Sequence, residues 1–322
     1  IKHDNIPNYD EIFTNIVVNT PTILGYQFQL EDEEFIVTKP PEIPAIFIEK
    51  NRQAGIDYIL NAKGTILNIP ILQDNAYSSG FFNNVPDPSG IIRSVPLIIR
   101  YQDQLFPSLA LEIVRASSGI DKVFVNYNEL GVESVSIGDF YIPTDRHGRS
   151  IVNFRGKEKT FKYLSAVDIY NNDFKKEDIS GKIILVGTSA AGLLDLRAIP
   201  FESVFPGVEV HANLIDNILT QDFITKPSWA DAVNLLNILM VSILVTFFVT
   251  YTLFWFNPLI TISFIFAETY LIYYSLFTEG IVLNIIFPLF TIFLAVITTT
   301  LMDYFYEVKK EEAIKRKFAS KV

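Results

Sequence analysis

The chain contains no cysteine, which excludes disulfides and thiolate metal sites and leaves the redox compartment open, since a protein without thiols suits either environment. Histidine is almost as scarce, at three residues, and His3, His147 and His211 lack the spacing of a metal-ligand set. The third lack is positional. Residues 230–308 hold no Lys or Arg, whereas 20 of the 26 basic residues precede Pro227. The chain is therefore two materials joined near Trp229. It also opens at Ile1 without an initiator Met or a hydrophobic leader, so a segment carrying a signal or signal anchor is expected upstream.

What is present fits that division. With 322 residues, 49% of them hydrophobic, the chain can bury a soluble core and still fill a bilayer with helices. Residues 1–229 carry 20 basic and 29 acidic side chains, a net −9, and residues 304–322 carry six and three, a net +3. The acidic surface repels phosphate backbones, so nucleic acid is not expected as a partner.

Residues 232–256 run without a charge, long enough at about 1.5 Å per residue to cross a hydrocarbon core of about 30 Å. Asn257 and Pro258 should break that helix, and further spans follow at 259–277 and 281–301. Turns this short force antiparallel neighbours, which predicts a compact three-helix bundle. Lys309, Lys310, Lys315, Arg316 and Lys317 form the cationic cluster beside the last span, which places the tail in the cytoplasm and residues 1–229 outside. Trp229, Trp255, Tyr304 and Tyr306 stand at span ends, where amphipathic rings favour the interface. Glu268 is the ionisable group inside a span, expected neutral or paired, with Asn284 or Tyr270 as its hydrogen-bond partner. An interhelical clamp is the plainer role and signal coupling the sharper one. Pro288 is expected to kink the third helix.

Before Trp229 short apolar runs alternate with turn signals and helical stretches, which reads as α/β. Strands are expected at 16–18, 23–28, 65–69, 97–100, 123–125, 135–137 and 151–154. The run 182–186 reads as a continuous, buried strand. Pro107 should open a helix bearing Leu109, Leu111, Ile113 and Val114. The last helix, 208–219, puts His211 on one face with Leu214, Ile215 and Ile218, hence inward. There it serves either as a buried neutral imidazole or as a ligand or pH-sensing group.

Catalytic motifs do not assemble. Gly187 to Ala191 has the outline of a nucleophile elbow, but Ala191 stands where glycine is required. The same stretch follows an expected strand as a phosphate loop would, yet lacks the terminal Gly-Lys-Ser/Thr. Small residues there read as a tight turn, and Asp195 with Arg197 as a local ion pair or an anion site.

Three clusters then carry a family resemblance. Phe82 to Gly90 with Arg93, Val95, Pro96 and Leu97, followed by Pro107 to Glu112, resembles the first signature of the CHASE2 extracytoplasmic sensor domain. Ile142 to Asp145, Gly148 and Val152 to Gly156 resemble its middle. Gly181 to Gly187, Asp195, Pro200, Phe201 and Pro206 to Asn213 resemble its close. The resemblance covers about 4–219, and three spans directly after the domain are the family's habit. It implies a bacterial receptor whose spans lead to a cytoplasmic adenylate or guanylate cyclase, a histidine kinase or another output. It also implies an anchor helix, an opening strand and an opening helix upstream of this chain. The tail resembles the short helix that joins such spans to a class III cyclase, and homodimerisation follows from the resemblance because two such catalytic domains share an active site.

The expected architecture is thus an α/β extracytoplasmic domain (1–229), an all-α three-helix transmembrane bundle (230–303) and a basic cytoplasmic exit helix (304–322). Within the motifs, Asp87, Arg93, Asp145, Asp195, Arg197 and His211 are the candidate ligand-binding residues, with Glu268 and Asn284 as intramembrane polar positions. The plainer role for Asp87 and Asp145 is turn formation. No catalytic residue, cofactor or metal is indicated. The expected partners are a second copy, an extracytoplasmic ligand or protein, and the lipid of a bacterial inner membrane. A structural subunit of an envelope assembly is the competing function.

Overall fold

The computed structural model describes residues 7–31, 39–53, 58–189 and 196–319. The chain forms two compact units, Ile1–Phe223 and Ile224–Val322. In the first, β2 (Ile46–Lys50), β8 (Lys122–Asn128), β9 (Gly131–Ile137) and β10 (Phe140–Pro143) make a four-stranded sheet in the order β10-β9-β8-β2. The β2–β8 pair is parallel and the other two are antiparallel. A second sheet, β3-β1-β4, joins β1 (Ile23–Gln29) to β3 (Gly64–Ile66) antiparallel and to β4 (Ser78–Phe81) parallel. Three two-stranded pieces complete the strands: β5 (Ser94–Pro96) with β11 (Arg149–Ile151), β6 (Ile98–Tyr101) with β7 (Gln104–Pro107), and β12 (Leu196–Ile199) with β13 (Glu202–Pro206). The unit is mixed α/β with several small sheets.

Two helices hold the core. α3 (Leu109–Ser117) and α5 (Gly207–Thr220) pack Leu111, Val114, Val210, Leu214 and Ile218 against Val123, Val125, Val135 and Ile137 of β8 and β9. The alternation along β8 sends every second side chain to this core, the period expected of a sheet with one covered face. A second, aromatic cluster of Tyr26, Phe28, Phe81, Tyr101 and Phe106 lies under β1, β4, β6 and β7. A Cβ on Gly80 would stand 2.6 Å from the Leu109 Cα, so glycine lets β4 meet the start of α3 backbone to backbone.

α3 also buries a complete ion pair. Arg115 donates from Nε to Glu112 Oε2 at 2.8 Å and from Nη2 to Oε1 at 2.7 Å, while its Nη1 reaches the Ile120 carbonyl at 2.7 Å. Ser78 Oγ donates to the same carboxylate from β4. Neither side chain reaches water in any quantity, so each supplies the neutralisation that the other's burial demands.

Several sequence expectations are corrected. Residues 16–18 close α1 (Tyr9–Val18), because Ile12, Phe13, Ile16 and Val17 recur at helical rather than strand spacing. Pro107 ends β7 opposite Ile98, and Ser108 caps α3 by accepting from Leu111 N. The 65–69 run is strand only to Ile66 and then turns into α2 (Pro70–Gln73); the 151–154 run is strand only at Ile151. The larger miss is 182–186, which forms no strand: Ile183 and Ile184 are exposed and Val186 is 95% exposed. An apolar run becomes a strand only beside another strand's backbone, and among the described residues none pairs with it.

In the second unit α6 (Ala230–Tyr251), α7 (Asn257–Phe277) and α8 (Ile286–Ala319) are three apolar helices. The break after α6 falls at 252–256, and Asn257 and Pro258 open α7, where proline's missing N–H costs nothing. Pro288 likewise sits in the first turn of α8 rather than at a kink. The tail is not a separate helix; α8 runs on through it.

Replacing one member of the α3 pair, Glu112→Ala, should destabilise the chain by about 3–5 kcal/mol, because it leaves an uncompensated buried guanidinium. The double variant Glu112→Leu with Arg115→Met should recover most of that loss. Urea midpoints of the three proteins in detergent measure both effects.

Candidate functional site

The first motif folds into a loop closed by its own ions. Asp87 accepts at the head of a turn, its carbonyl taking Gly90 N at 2.8 Å, and its Oδ2 holds Arg93 Nη1 at 2.7 Å. The same Arg93 nitrogen lies 3.0 Å from Ser89 Oγ. Arg149, at the start of β11, approaches the other carboxylate oxygen at 3.9 Å and donates to the carbonyls of Val85 (2.7 Å) and Ser94 (3.2 Å). Asp145 Oδ1 accepts from the backbone N–H groups of His147 (2.9 Å) and Arg149 (3.0 Å), which caps the turn into β11. Asp87, Arg93 and Asp145 are thus brought together around Arg149, a residue that sequence reasoning passed over. The signal was there in outline, as a cation beside Gly148 with two motif carboxylates lacking a second partner.

Of the other candidates, Arg197 lies on β12, whose next residue Ala198 accepts Ile92 N at 2.8 Å, so the third motif touches the first. Asp195 lies outside the described residues, as do Ala190, Ala191 and Gly192 of the Gly187 to Gly192 stretch. His211 is in α5, turned into the core and only 7% exposed. Burial pulls its imidazole down to about 4, so it is neutral at physiological pH.

The middle and closing motifs meet along α5. Glu209, Asn213 and Asn217 are spaced four apart and share one buried stripe. Asn217 donates to the Asn153 carbonyl at 3.0 Å and accepts Asn153 N at 2.9 Å. Asn213 Oδ1 accepts Arg155 N at 2.8 Å. The Glu209 carboxylate collects Lys159 N and Thr160 N at 3.1 Å, Phe161 N at 3.4 Å and the Tyr163 hydroxyl at 2.7 Å. Arg155 reaches Asp216 at 2.5 Å and also binds Asp222 and, at 2.9 Å, Thr220 Oγ1. None of Asn217, Asp216 and Tyr163 was singled out from sequence, because polar side chains near a chain turn read as solvated.

Asp87 with Arg93, and Arg155 with Asp216 and Asp222, form ion pairs, whereas the Asp145 and Glu209 carboxylates accept hydrogen bonds from backbone N–H groups and, for Glu209, from the Tyr163 hydroxyl. Asp87, Arg93, Asp145 and Arg155 are each engaged, and the motif residues act as cross-links between loops and helix rather than as poised acids, bases or nucleophiles.

The second unit carries polar contacts of its own. Asn237 Nδ2 donates to Glu268 Oε2 at 3.0 Å, which corrects the expected partners Asn284 and Tyr270. Asn284 instead caps α8, its Oδ1 accepting Ile286 N at 3.0 Å, while its own N–H goes to Asn234 Oδ1 at 3.1 Å. Thr225 N donates to the Gly280 carbonyl at 2.7 Å and Val282 N to the Thr225 carbonyl at 2.9 Å. The start of α6 is thereby fastened to the α7–α8 turn.

Two outcomes are expected. Asn217→Leu strands both backbone groups of Asn153 and should cost about 2–4 kcal/mol, seen as a lowered urea midpoint. His211 binds its proton later than an unfolded histidine, so its contribution is complete above about pH 6.5 and lost as pH falls toward 4. Stability should drop by about 2 kcal/mol from this group between neutral and about pH 5, and His211→Gln should remove that part of the slope.

The family model of the CHASE2 domain matches residues 3–248, running past α5 into α6. No curated protein and no solved structure matches the chain. The three helices that overlap and follow the match, Ala230–Tyr251, Asn257–Phe277 and Ile286–Arg316, are long and apolar enough to cross a membrane, which makes this a multi-pass membrane protein. With its matched residues spanning most of its length, the chain belongs to the CHASE2 domain family.

Proposed function

We propose that this chain is the sensory and signal-relaying module of a bacterial receptor that controls a cytoplasmic class III adenylate or guanylate cyclase. In this reading residues 1–229 form the sensor outside the inner membrane, 230–303 are the spans, and 304–322 lead into the cytoplasm. The observation that carries it is the presence in one chain of a CHASE2 domain and, two helices on, α8, a helix of 34 residues. At about 1.5 Å per residue it is about 50 Å long, about 20 Å more than a hydrocarbon core, so a rotation or tilt at one face emerges at the other without a joint. The basic residues Lys309, Lys310, Lys315 and Arg316 on that extension support a cytoplasmic tail, and the pairs Lys315–Glu311 (3.0 Å) and Arg316–Glu312 (3.9 Å) favour its helical state. Two copies side by side along α8 would bring two cyclase domains together, which is why the receptor is proposed as a homodimer. The stimulus is proposed to act on the outer domain through Asp87, Arg93, Asp145, Asp195, Arg197 or His211.

A second reading has one specific observation in its favour. Asp87 is paired with Arg93 and approached by Arg149, and Asp145 is taken up by the backbone N–H groups of His147 and Arg149, as expected of a domain kept as a building block in an envelope assembly with no ligand.

The test is the full reading frame expressed in membranes. A receptor predicts a cyclase fold downstream of Val322, cyclic nucleotide production, and disulfide crosslinks between copies at cysteines placed in 306–318. A stop shortly after Val322, or a monomer in every crosslinking position, supports the structural reading instead.

A further inference from the structure

Glu268 is 7% exposed, at mid-length in α7, and its described partner is the side-chain amide of Asn237 on α6. Between 232 and 302 the charged residues are Glu268 and Glu279 alone. No ion pair to Glu268 occurs among the described residues, and the sequence holds no Lys or Arg from 230 to 308 to supply one. A carboxyl in that position cannot be neutralised by a counter-ion from its own bundle. It can be neutralised by a proton.

The partner chosen for it suits both forms. An ionised carboxylate needs a donor and a protonated one needs an acceptor, and an amide side chain offers NH2 and C=O from the same two positions. Rotation of the Asn237 amide therefore keeps the α6–α7 contact hydrogen-bonded through a change of charge, where a lysine would hold one charge state and a leucine neither. The groups around it leave the proton nowhere else to go. α6 presents Asn234 and Asn237, with Asp231 near its start paired to Lys226 at 2.9 Å. α8 presents no ionisable side chain before Asp303. On α7 itself Tyr270, Tyr273 and Tyr274 are exposed on the outside of the bundle, and Glu279 lies beyond its end.

The side-chain amides nearest Glu268 lie toward one end of the bundle, and at the other end Asn257 at the start of α7 bonds the Thr252 hydroxyl that follows α6. Asn234 and Asn237 lie about 6 Å and about 10 Å along α6 from its start, and Glu268 lies about 14 Å from the end of α7, at 1.5 Å per residue. Asn284 stands at the same end, before α8 begins. Toward the opposite end, the Thr261 and Thr298 hydroxyls bond to carbonyls of their own helices and offer no relay across the bundle. Asn284, Asn234 and Asn237 thus stand between the α7–α8 turn and the carboxyl, Asn284 bonded to Asn234 and Asn237 to Glu268.

We propose that Glu268 is an intramembrane proton-exchange site, loaded and unloaded from the end of the bundle where α6 starts, with Asn237 holding the interhelical contact in both states. The proposal rests on the bundle lying in a membrane and not on any cyclase output.

The test uses the whole chain in lipid vesicles with a membrane-permeant carbodiimide, which adds to a protonated carboxyl in an apolar setting. Peptide mass spectrometry reads where it adds. Modification is expected at Glu268, falling several-fold as the pH on the α6-start side is raised and unmoved by pH on the tail side. Asn237→Leu, which removes the donor to the carboxylate, should flatten that fall, while Glu268→Gln should abolish modification and, keeping an amide contact to Asn237, leave helix content and melting unchanged. An unmodified Glu268 in a chain whose circular dichroism shows intact helices would overturn the proposal. So would modification that ignores pH, or that follows the pH of the tail side.

Discussion

A backbone amide shut away from water must find a partner, and for Asn153, Arg155 and Lys159 to Phe161 the side-chain partners come from one helix. That constraint organises the first unit. The segment 152–163 runs on outside the sheets after β11 ends, and five of its N–H groups are met by Glu209, Asn213 and Asn217. Those three lie along one line of α5, and the neighbouring line of Val210, Leu214 and Ile218 fills the core. α5 is consequently buried on two faces with different chemistry. Packing alone would fix its position against β8 and β9; the side-chain contacts also fix the path of the chain that crosses it. The Arg149 cluster repeats the device on a smaller scale, joining loop 85–94 to the 145–149 turn through carbonyls and carboxylates.

The parts of this fold legible in sequence were those that a local pattern decides. β1, β8 and β9 follow from short apolar runs between turn signals and α5 from helical spacing, and the three long apolar helices from length without charge, although α8 begins at Ile286 and runs on to Ala319 rather than spanning 281–301. Residues 182–186 show where that reasoning ends. Lys182 to Val186 has the composition of a buried strand, but a strand is a relation between two backbones, and sequence reports one of them. The stripe Glu209, Asn213, Asn217 failed for the opposite reason. Its spacing was visible, yet polar residues on a helix read as a solvated face, and only the orphaned backbone of 153–161 shows why they turn inward.

The motif residues teach a related lesson about sites. Asp87, Arg93 and Asp145 were singled out as charged groups within a recognisable pattern. They do converge, and what they converge on is Arg149 and the turns they close. A pattern of charged residues that recurs in a sequence family can mark the fold's cross-links as readily as its ligand contacts, and the two are separated by whether each charged group already has an opposite charge or N–H donors within reach.

The same accounting of polar groups separates the two ends of the helical unit. Near the start of α6, Thr225, Asn234, Asn237 and Asn284 hold the three helices through bonds with fixed partners. Further along, Val241, Val245 and Val249 of α6 meet Ile292 and Ala295 of α8, a seam of branched and small apolar side chains. Apolar contacts of this kind have no directional partner to break, so they resist separation while tolerating small rotations. α8 is pinned at its first turn by the Asn284 cap and lies along that smooth seam for the rest of the bundle. A change in the pinned contacts is then taken up by the orientation of α8 as a whole, because its single unbroken run of hydrogen bonds leaves no internal hinge to absorb it.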